Sequence, residues 1–212
     1  MKPKLIIFDL FGTLVFSVEK LKREDFFAFY QKLGIEFKTE KDIKLFTSLF
    51  SQLMTQSAGW QDFSQKLLEK VIEQTDQKII NKLADFFKEN IVYQLYDDVK
   101  EIIAFPYRKA VLTAAAPFLF SNLGLEKYFE IFTPRETKFL KPDPRAFLAV
   151  LEKLKVKPEE TLMVGDELER DLIPAEKLGM ETILIDRGDK IENTPVEKIS
   201  SLAELKQILM GL

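Results

Sequence analysis

The sequence has no cysteine and no histidine among its 212 residues. The absence of cysteine excludes disulfides, thiolate nucleophiles, zinc fingers and iron–sulfur clusters. The absence of histidine excludes a Ser-His-Asp triad and any histidine-ligated metal. Enzymatic chemistry in this chain must therefore use carboxylates, hydroxyls, lysine and backbone amides. Any bound metal is expected to be a hard, oxygen-ligated cation such as Mg²⁺.

The sequence also lacks a long apolar run and an excess of basic residues. No segment reaches the roughly 18 apolar residues of a membrane span, and Asp9 interrupts the apolar amino terminus. With 31 basic and 34 acidic residues the net charge is −3, so neither nucleic acid nor a membrane is an expected partner. We expect a cytoplasmic protein that is a monomer or at most a homodimer.

Short apolar runs that stop at turn residues predict strands buried on both faces, as in parallel sheets. These runs are residues 4–8, 110–113, 130–133, 161–164 and 182–185. Helical patterns separate the later runs, and one of them begins at the Asp143-Pro144 cap. The alternation of strands and helices predicts an α/β fold with a Rossmann-like, doubly wound parallel sheet.

A long interval with only helical patterns separates the first predicted strand from the second. Ten of the 19 phenylalanines lie in it, enough for an aromatic core of its own. A parallel sheet accepts such an insertion only outside its hydrogen-bonded ladder. We therefore predict a core domain of residues 1–15 plus 93–212 and an inserted all-α domain of residues 16–92.

Polar residues follow the predicted strands, at the edge where doubly wound sheets bind their ligands. Each has an ordinary structural explanation, because aspartate often ends a strand or caps a helix and glycine permits a turn. Together they combine carboxylates, a hydroxyl, an ammonium and loop amides, a mixture that suits a Mg²⁺ ion holding a phosphate. In chain order they are Asp9, Thr113, Lys141, Asp166 and Asp171, and Gly12 is the turn residue after Asp9.

Four motifs resemble those of the haloacid dehalogenase-like hydrolase superfamily. They are Asp9-Leu-Phe-Gly-Thr-Leu14, Thr113, Lys141-Pro142 and Gly165-Asp166-x-x-x-x-Asp171. The helical insertion after the first motif is similar to the helical cap of the superfamily's phosphoglycolate phosphatase and 2-haloacid dehalogenase branch. The resemblance covers the whole chain. It implies a Rossmann-like core with a helical cap, and a hydrolase of small phosphorylated metabolites.

The resemblance also implies a role for individual residues. Asp9 would be the nucleophile that forms an aspartyl-phosphate. Asp9, the backbone carbonyl of Phe11 and Asp166 would hold Mg²⁺. Asp171 would orient water or the ammonium of Lys141. The residues expected to contact the transferred phosphoryl group, through side chains or loop amides, are Leu10, Phe11, Gly12, Thr113, Ala114 and Lys141.

Phe11 departs from the family's phosphatase pattern, in which an aspartate at this position protonates the leaving group. A halide needs no proton, and the family's 2-haloacid dehalogenases carry an aromatic residue here. Phe11 therefore favours a metal-independent dehalogenase with Asp9 as nucleophile. The carboxylates around Asp166 favour the phosphatase, because without a cation they would repel one another and a carboxylate substrate. A third alternative is a non-catalytic protein that binds a phosphorylated ligand.

A phosphatase without this acid has two ways to expel its leaving group. It can act on acyl or aryl phosphates, whose leaving groups are already stable. Alternatively, Glu19 or Asp25 of the insertion can supply the proton. For the dehalogenase, Arg23 is the nearest candidate for a halide-binding arginine, although its neighbours are typical of a solvated helix face. Our main hypothesis is the Mg²⁺-dependent phosphohydrolase.

Overall fold

The computed structural model describes residues 2–20, 22–35, 40–71, 76–192 and 194–211. The chain divides into two compact units. The first unit consists of Met1–Phe16, Gln94–Ala114 and Leu123–Leu212, and the second of Ser17–Tyr93 and Ala115–Asn122. Within the described part of the chain, none of the helices has both the length and the apolar character needed to cross a membrane.

The described residues form eight strands. They are β1 Leu5–Phe8, β2 Val15–Glu19, β3 Ile91–Leu95, β4 Arg108–Leu112, β5 Glu130–Phe132, β6 Thr161–Gly165, β7 Glu181–Ile185 and β8 Glu197–Ile199. Six of them form a parallel sheet in the first unit, in the order β5-β4-β1-β6-β7-β8. This order confirms the predicted Rossmann-like α/β architecture.

The described residues also form nine α-helices. Those of the second unit are α1 Arg23–Lys32, α2 Glu40–Gln56, α3 Trp60–Val71 and α4 Gln77–Asn90. Those of the first unit are α5 Val99–Ile103, α6 Pro134–Thr137, α7 Pro144–Leu154, α8 Ile173–Lys177 and α9 Leu202–Gly211. A π-helical turn, Leu168–Leu172, directly precedes α8.

The central strand β1 explains why an unbroken apolar run was needed at this point of the sequence. Its four residues have no exposed surface, because β4 and β6 flank the strand and side chains cover both faces of the sheet. Phe147 and Val150 of α7 belong to the apolar cluster on one face. Phe8 lies opposite Val111 of β4 and Val164 of β6, so these three strands end side by side.

The second unit is built around aromatic side chains. Phe87 of α4 lies at the centre, with ring centroids 5.2 Å from Phe63 and 5.5 Å from Phe50, both edge-on. Segment Ala115–Asn122 belongs to this unit, whereas the sequence-based boundaries placed it in the core domain. The reason is aromatic packing, because Phe118 lies edge-on to Trp60 at 5.0 Å.

The structure differs from the all-α prediction at the two ends of the insertion. There β2 and β3 pair in a two-stranded sheet, through which the chain leaves the first unit and returns to it. The β-branched residues of these segments, Val15, Val18, Ile91 and Val92, favour strands over helices. The helical periodicity of the long segment between β2 and β3 dominates the sequence pattern, so these few β-branched residues did not lead to a strand prediction.

Candidate active site

The carboxyl ends of β1, β4 and β6 bring the predicted residues to one edge of the sheet. Asp9 directly follows β1, Thr113 follows β4, and Asp166 follows β6. The strands run outward from β1 in both directions, so the topological switch point lies between β1 and β6. Ligands of doubly wound sheets bind at such a point, beyond the carboxyl ends of the strands.

Three carboxylates meet at this point. Asp9, Asp166 and Asp171 each offer an oxygen atom, and these atoms all lie within 4.8 Å of one another. The π-helical turn after β6 brings Asp171 back towards the strand end, with its N–H donating to the Glu167 carbonyl at 2.9 Å. Asp171 is buried, and Asp9 and Asp166 are partly buried.

Lys141 lies between two of these carboxylates. Its Nζ donates a short hydrogen bond to Asp9 Oδ1 and a 2.6 Å bond to Asp171 Oδ1, and the residue is only 6% exposed. Burial alone would lower the pKa of this amine, but the charges of Asp9 and Asp171 raise it. Lys141 is therefore a protonated ammonium that fixes one oxygen of Asp9.

Lys141 compensates only part of the negative charge of the three carboxylates. Burial, and then the charges of Asp9 and Asp171, raise the pKa of Asp166 to about 7. Burial and the charge of Asp9 raise the pKa of Asp171 to about 6, against the opposing effect of Lys141. The cluster therefore favours a bound proton or a cation near neutral pH.

Two glycines make room for the carboxylates. A Cβ atom at Gly12 would overlap Asp166 Oδ2, and one at Gly165 would overlap Asp171 Oδ2. Gly12 also has a φ of +80°, which disfavours any other residue. Its N–H donates to the Val15 carbonyl at 2.8 Å, so Gly12 contributes space and a turn rather than an amide directed at a ligand.

The donor atoms fit a hard divalent cation. Oδ1 of Asp166 is buried and has no hydrogen-bond partner among the described residues. Asp171 is already engaged, because Oδ1 accepts from Lys141 and Oδ2 accepts from the Glu167 N–H at 3.3 Å. The oxygens of Asp9 and Asp166 are thus the ones best placed for a metal, and an all-oxygen set suits Mg²⁺.

The other predicted residues lie in the loops around this cluster. Thr113 is buried, and its N–H donates to the Phe132 carbonyl at 3.0 Å, which extends the pairing of β4 with β5. Ala114 and Phe11 are partly buried. The carbonyl of Leu10 accepts hydrogen bonds from two N–H groups further along the loop, those of Leu14 and Val15, each at 2.9 Å.

Of the candidate residues of the insertion, Asp25 has a described side chain. The Asp25 carboxylate accepts a 2.9 Å hydrogen bond from the N–H of Lys22 and so caps the first turn of α1. The side chains of Glu19 and Arg23 lie outside the described residues.

Sequence reasoning missed Arg187, whose guanidinium donates to the carbonyl of Thr13 in the loop that follows Asp9. Arg187 comes two residues after β7, so it also follows a strand end. This position after a strand could have been recognised from the sequence, but an arginine next to a turn is usually solvated and so was not a candidate. The long-range contact that distinguishes Arg187 spans 174 positions and is visible only in the folded chain.

Comparisons with known proteins identify the family of the chain. The family described as haloacid dehalogenase-like hydrolase matches residues 3–179. A glyceraldehyde 3-phosphate phosphatase from Methanopyrus kandleri is 40% identical over 68 residues, 32% of this chain and 29% of the relative. One from Methanothermobacter thermautotrophicus is 34% identical over 97 residues, 42% of this chain and 43% of the relative. The chain thus aligns with less than half the length of these curated relatives.

A solved 2-haloacid dehalogenase from Pseudomonas syringae pv. Tomato has a similar fold, with a TM-score of 0.72. The match covers 99% of each chain at 21% sequence identity, so it shows a shared fold.

Proposed function

This chain belongs to the haloacid dehalogenase-like hydrolases, and we propose that it is a Mg²⁺-dependent phosphohydrolase of small phosphorylated metabolites. The observation that carries the proposal is the unbalanced carboxylate cluster at the switch point, with the buried ammonium of Lys141 beside Asp9. Curated relatives named as phosphatases support the same reaction class. A cation is needed there before an anionic phosphate can approach.

Asp9 is the nucleophile of the proposed reaction. One of its oxygens forms a bond to phosphorus, and the bond between phosphorus and the leaving oxygen breaks with its electron pair going to that oxygen. Water then attacks phosphorus in the aspartyl-phosphate, which releases inorganic phosphate and regenerates Asp9. Lys141 fixes the side chain of Asp9 before attack, and Asp171 fixes Lys141.

The metal would be held by Asp9, the backbone carbonyl of Phe11 and Asp166. When bound, Mg²⁺ neutralises charge on the carboxylates and on the phosphoryl oxygens. The chain's own part in binding the phosphoryl group falls to Lys141, the Thr113 hydroxyl and the loop amides near Leu10, Phe11 and Ala114.

Phe11 has a direct consequence for the choice of substrate. Its side chain has no acidic proton, so the chain offers no general acid at this position to the leaving oxygen. Loss of such an acid costs about 10²–10⁴-fold in rate. We therefore propose acyl or aryl phosphates as the preferred class. Phe11→Asp should raise hydrolysis of alkyl phosphates more than that of aryl phosphates. An equal change on both classes would contradict this preference.

The test is phosphate release from a panel of acyl, aryl and alkyl phosphates, with Mg²⁺ and with EDTA. Asp9→Asn provides the blank, because its amide is not a nucleophile. We expect release that requires Mg²⁺ and disappears in the variant. Release that persists in Asp9→Asn would exclude the proposed mechanism.

A metal-independent 2-haloacid dehalogenase is the second candidate, and Phe11 is the observation that favours it. Its test is halide release from 2-haloacids in EDTA, with the same Asp9→Asn blank. Halide release without metal, together with no phosphate release from any substrate of the panel, would favour the dehalogenase over the phosphatase. Binding of a phosphorylated ligand without turnover in either assay would indicate a non-catalytic protein.

A further inference from the structure

We infer that Arg187 is a positioning residue, which fixes the loop between Asp9 and Val15 and thereby the geometry of the carboxylates that would bind the cation. Only the metal part of this inference rests on the proposed function. The positioning part concerns contacts within the first unit and can be tested without metal or substrate.

The guanidinium of Arg187 holds a backbone carbonyl and a carboxylate at once. Nη2 and Nε donate to the Thr13 carbonyl at 2.7 and 3.2 Å. Nη1 and Nη2 donate to the two oxygens of Asp98, each at 2.9 Å. The two side chains are only 16% and 18% exposed. A bidentate, largely buried pair of this kind is strong and geometrically specific, unlike an exposed ion pair.

The partners of Arg187 are themselves fixed to the first unit. Asp98 Oδ2 also accepts the N–H of Leu202, at the start of α9, at 2.9 Å. The guanidinium carbon lies 3.7 Å from the centre of the Tyr96 ring, and the N–H of Tyr96 donates to the Leu14 carbonyl at 3.0 Å. The Arg187 guanidinium and the Tyr96 N–H therefore hold two successive carbonyls of the loop, those of Thr13 and Leu14, and Asp98 fixes Arg187.

The residue before Thr13 transmits this restraint to the carboxylates. Gly12 lies so close to Asp166 that even a Cβ atom would overlap the carboxylate. A small displacement of the Thr13 carbonyl moves Gly12, and hence the surface against which Asp166 rests. The same loop begins at Asp9, so its position sets the spacing between Asp9 and Asp166. Groups that orient metal ligands in this way affect metal affinity by about 10–100-fold.

Arg108 provides a matched control at the opposite end of the sheet. It also joins a carboxylate and a backbone carbonyl, donating to Glu130 Oε1 at 2.6 Å and to the Leu154 carbonyl at 2.7 Å. It lies at the start of β4, whereas the cluster lies beyond the strand's end. Arg108→Gln should therefore remove the same kinds of hydrogen bond, from a more exposed pair, without touching the loop.

The experiment compares Arg187→Gln, Arg187→Lys and Arg108→Gln with the unaltered protein, all free of metal. Amide hydrogen exchange at Leu14 and Val15, whose N–H groups close the loop on Leu10, should be about tenfold faster in Arg187→Gln. Arg187→Lys keeps the charge but loses the bidentate geometry of the guanidinium. Its exchange rates at these two amides should therefore lie between those of the unaltered protein and those of Arg187→Gln. Arg108→Gln should leave the rates of these two amides unchanged.

Calorimetric titration with Mg²⁺ gives the second readout. We expect about tenfold weaker binding in Arg187→Gln, partial recovery in Arg187→Lys, and affinity within about twofold of the unaltered protein in Arg108→Gln.

Equal exchange at Leu14 and Val15 in the two glutamine variants would overturn the positioning role, as would faster exchange spread evenly over the first unit. If Arg187→Gln does not fold, Arg187→Lys decides by the same comparison. Unaltered protein that binds no Mg²⁺ would overturn the metal part and the Mg²⁺ dependence proposed above, while the exchange rates would still decide whether Arg187 fixes the loop.

Discussion

The edge of the sheet and the interior of the second unit have opposite effects on the stability of the folded chain. At the sheet edge, three carboxylates lie close together and one lysine pairs with two of them. A buried oxygen of the third, Asp166, lacks a hydrogen-bond partner among the described residues. In the second unit, Phe87 is surrounded by aromatic rings that it meets mostly edge-on, which is a favourable geometry. The first region gives up stability where chemistry is proposed, and the second supplies stability.

The largest effect is expected from Lys141→Met. It leaves Asp9 and Asp171 without their shared cation, and breaking a buried pair in this way costs about 3–5 kcal/mol. It also removes a group that would bind the phosphoryl oxygens, so kcat should fall by about 10²–10³-fold. Urea unfolding and phosphate release measure the two effects.

Lys109→Met is the control for Lys141→Met. Lys109 is another buried lysine, on β4, but among the described residues its Nζ donates only to backbone carbonyls, those of Phe105 and Tyr107. We expect some loss of stability and an unchanged kcat. A fall in kcat of similar size in both variants would mean that burial, and not proximity to Asp9, makes Lys141 important.

Phe87→Ala should mainly affect stability. Removing a fully buried ring from the aromatic core is expected to cost about 3–5 kcal/mol in the free energy of unfolding. The Mg²⁺ affinity of the folded protein should stay within about twofold of its original value, because the ligands belong to the other unit. A large loss of Mg²⁺ affinity with little loss of stability would break the contrast.

Gly12→Ala and Gly34→Ala separate backbone strain from crowding. Both glycines have a φ of +80°, so alanine costs about 1 kcal/mol at each. A Cβ atom meets the Asp166 carboxylate at Gly12 and meets nothing within 4 Å at Gly34. We expect about 10²-fold weaker Mg²⁺ binding in Gly12→Ala alone, measured by calorimetry. Equal Mg²⁺ affinities in the two variants would show that crowding at Asp166 is unimportant.

The smallest effect is a pH dependence of stability without metal. The pKa of Asp166 is raised to about 7 by burial, so the folded state holds this proton more tightly than the unfolded chain does. Stability should therefore fall as pH rises from about 4 to 7. Asp166→Asn removes this contribution and should stabilise the metal-free protein at pH 8 by about 1 kcal/mol, after allowance for solvent screening.

Asp186→Asn should change the pH dependence of stability in the opposite direction to Asp166→Asn, which tests the sign of both effects. The N–H groups of Ile191 and Lys190 lower the pKa of Asp186, so its ionised form contributes stability above its unfolded pKa. That contribution is lost as pH falls through the lower folded pKa. The deficit of Asp186→Asn relative to the unaltered protein should therefore be larger at pH 8 than at acid pH. Urea unfolding at several pH values measures both variants.

Much of the fold follows from local patterns. The run at Leu5–Phe8 predicts a buried strand because an apolar segment of that length satisfies both faces of a parallel sheet. The Asp143-Pro144 pair predicts the start of α7, since its cap and its fixed φ act locally. Strands β2 and β3 were missed, because each has only five residues and forms a strand by pairing with the other, more than 70 positions away in the sequence.

The sequence alone determined that any chemistry would rest on carboxylates and lysine, since it has neither cysteine nor histidine. It also placed Asp9, Thr113 and Asp166 just beyond strand ends, because a strand's end is a local property. Tertiary structure decided the rest: that Lys141 joins Asp9 to Asp171, that Gly12 must leave room for Asp166, and that Arg187 holds Thr13. These contacts join distant parts of the chain, and their geometry exists only once the sheet has brought those parts together.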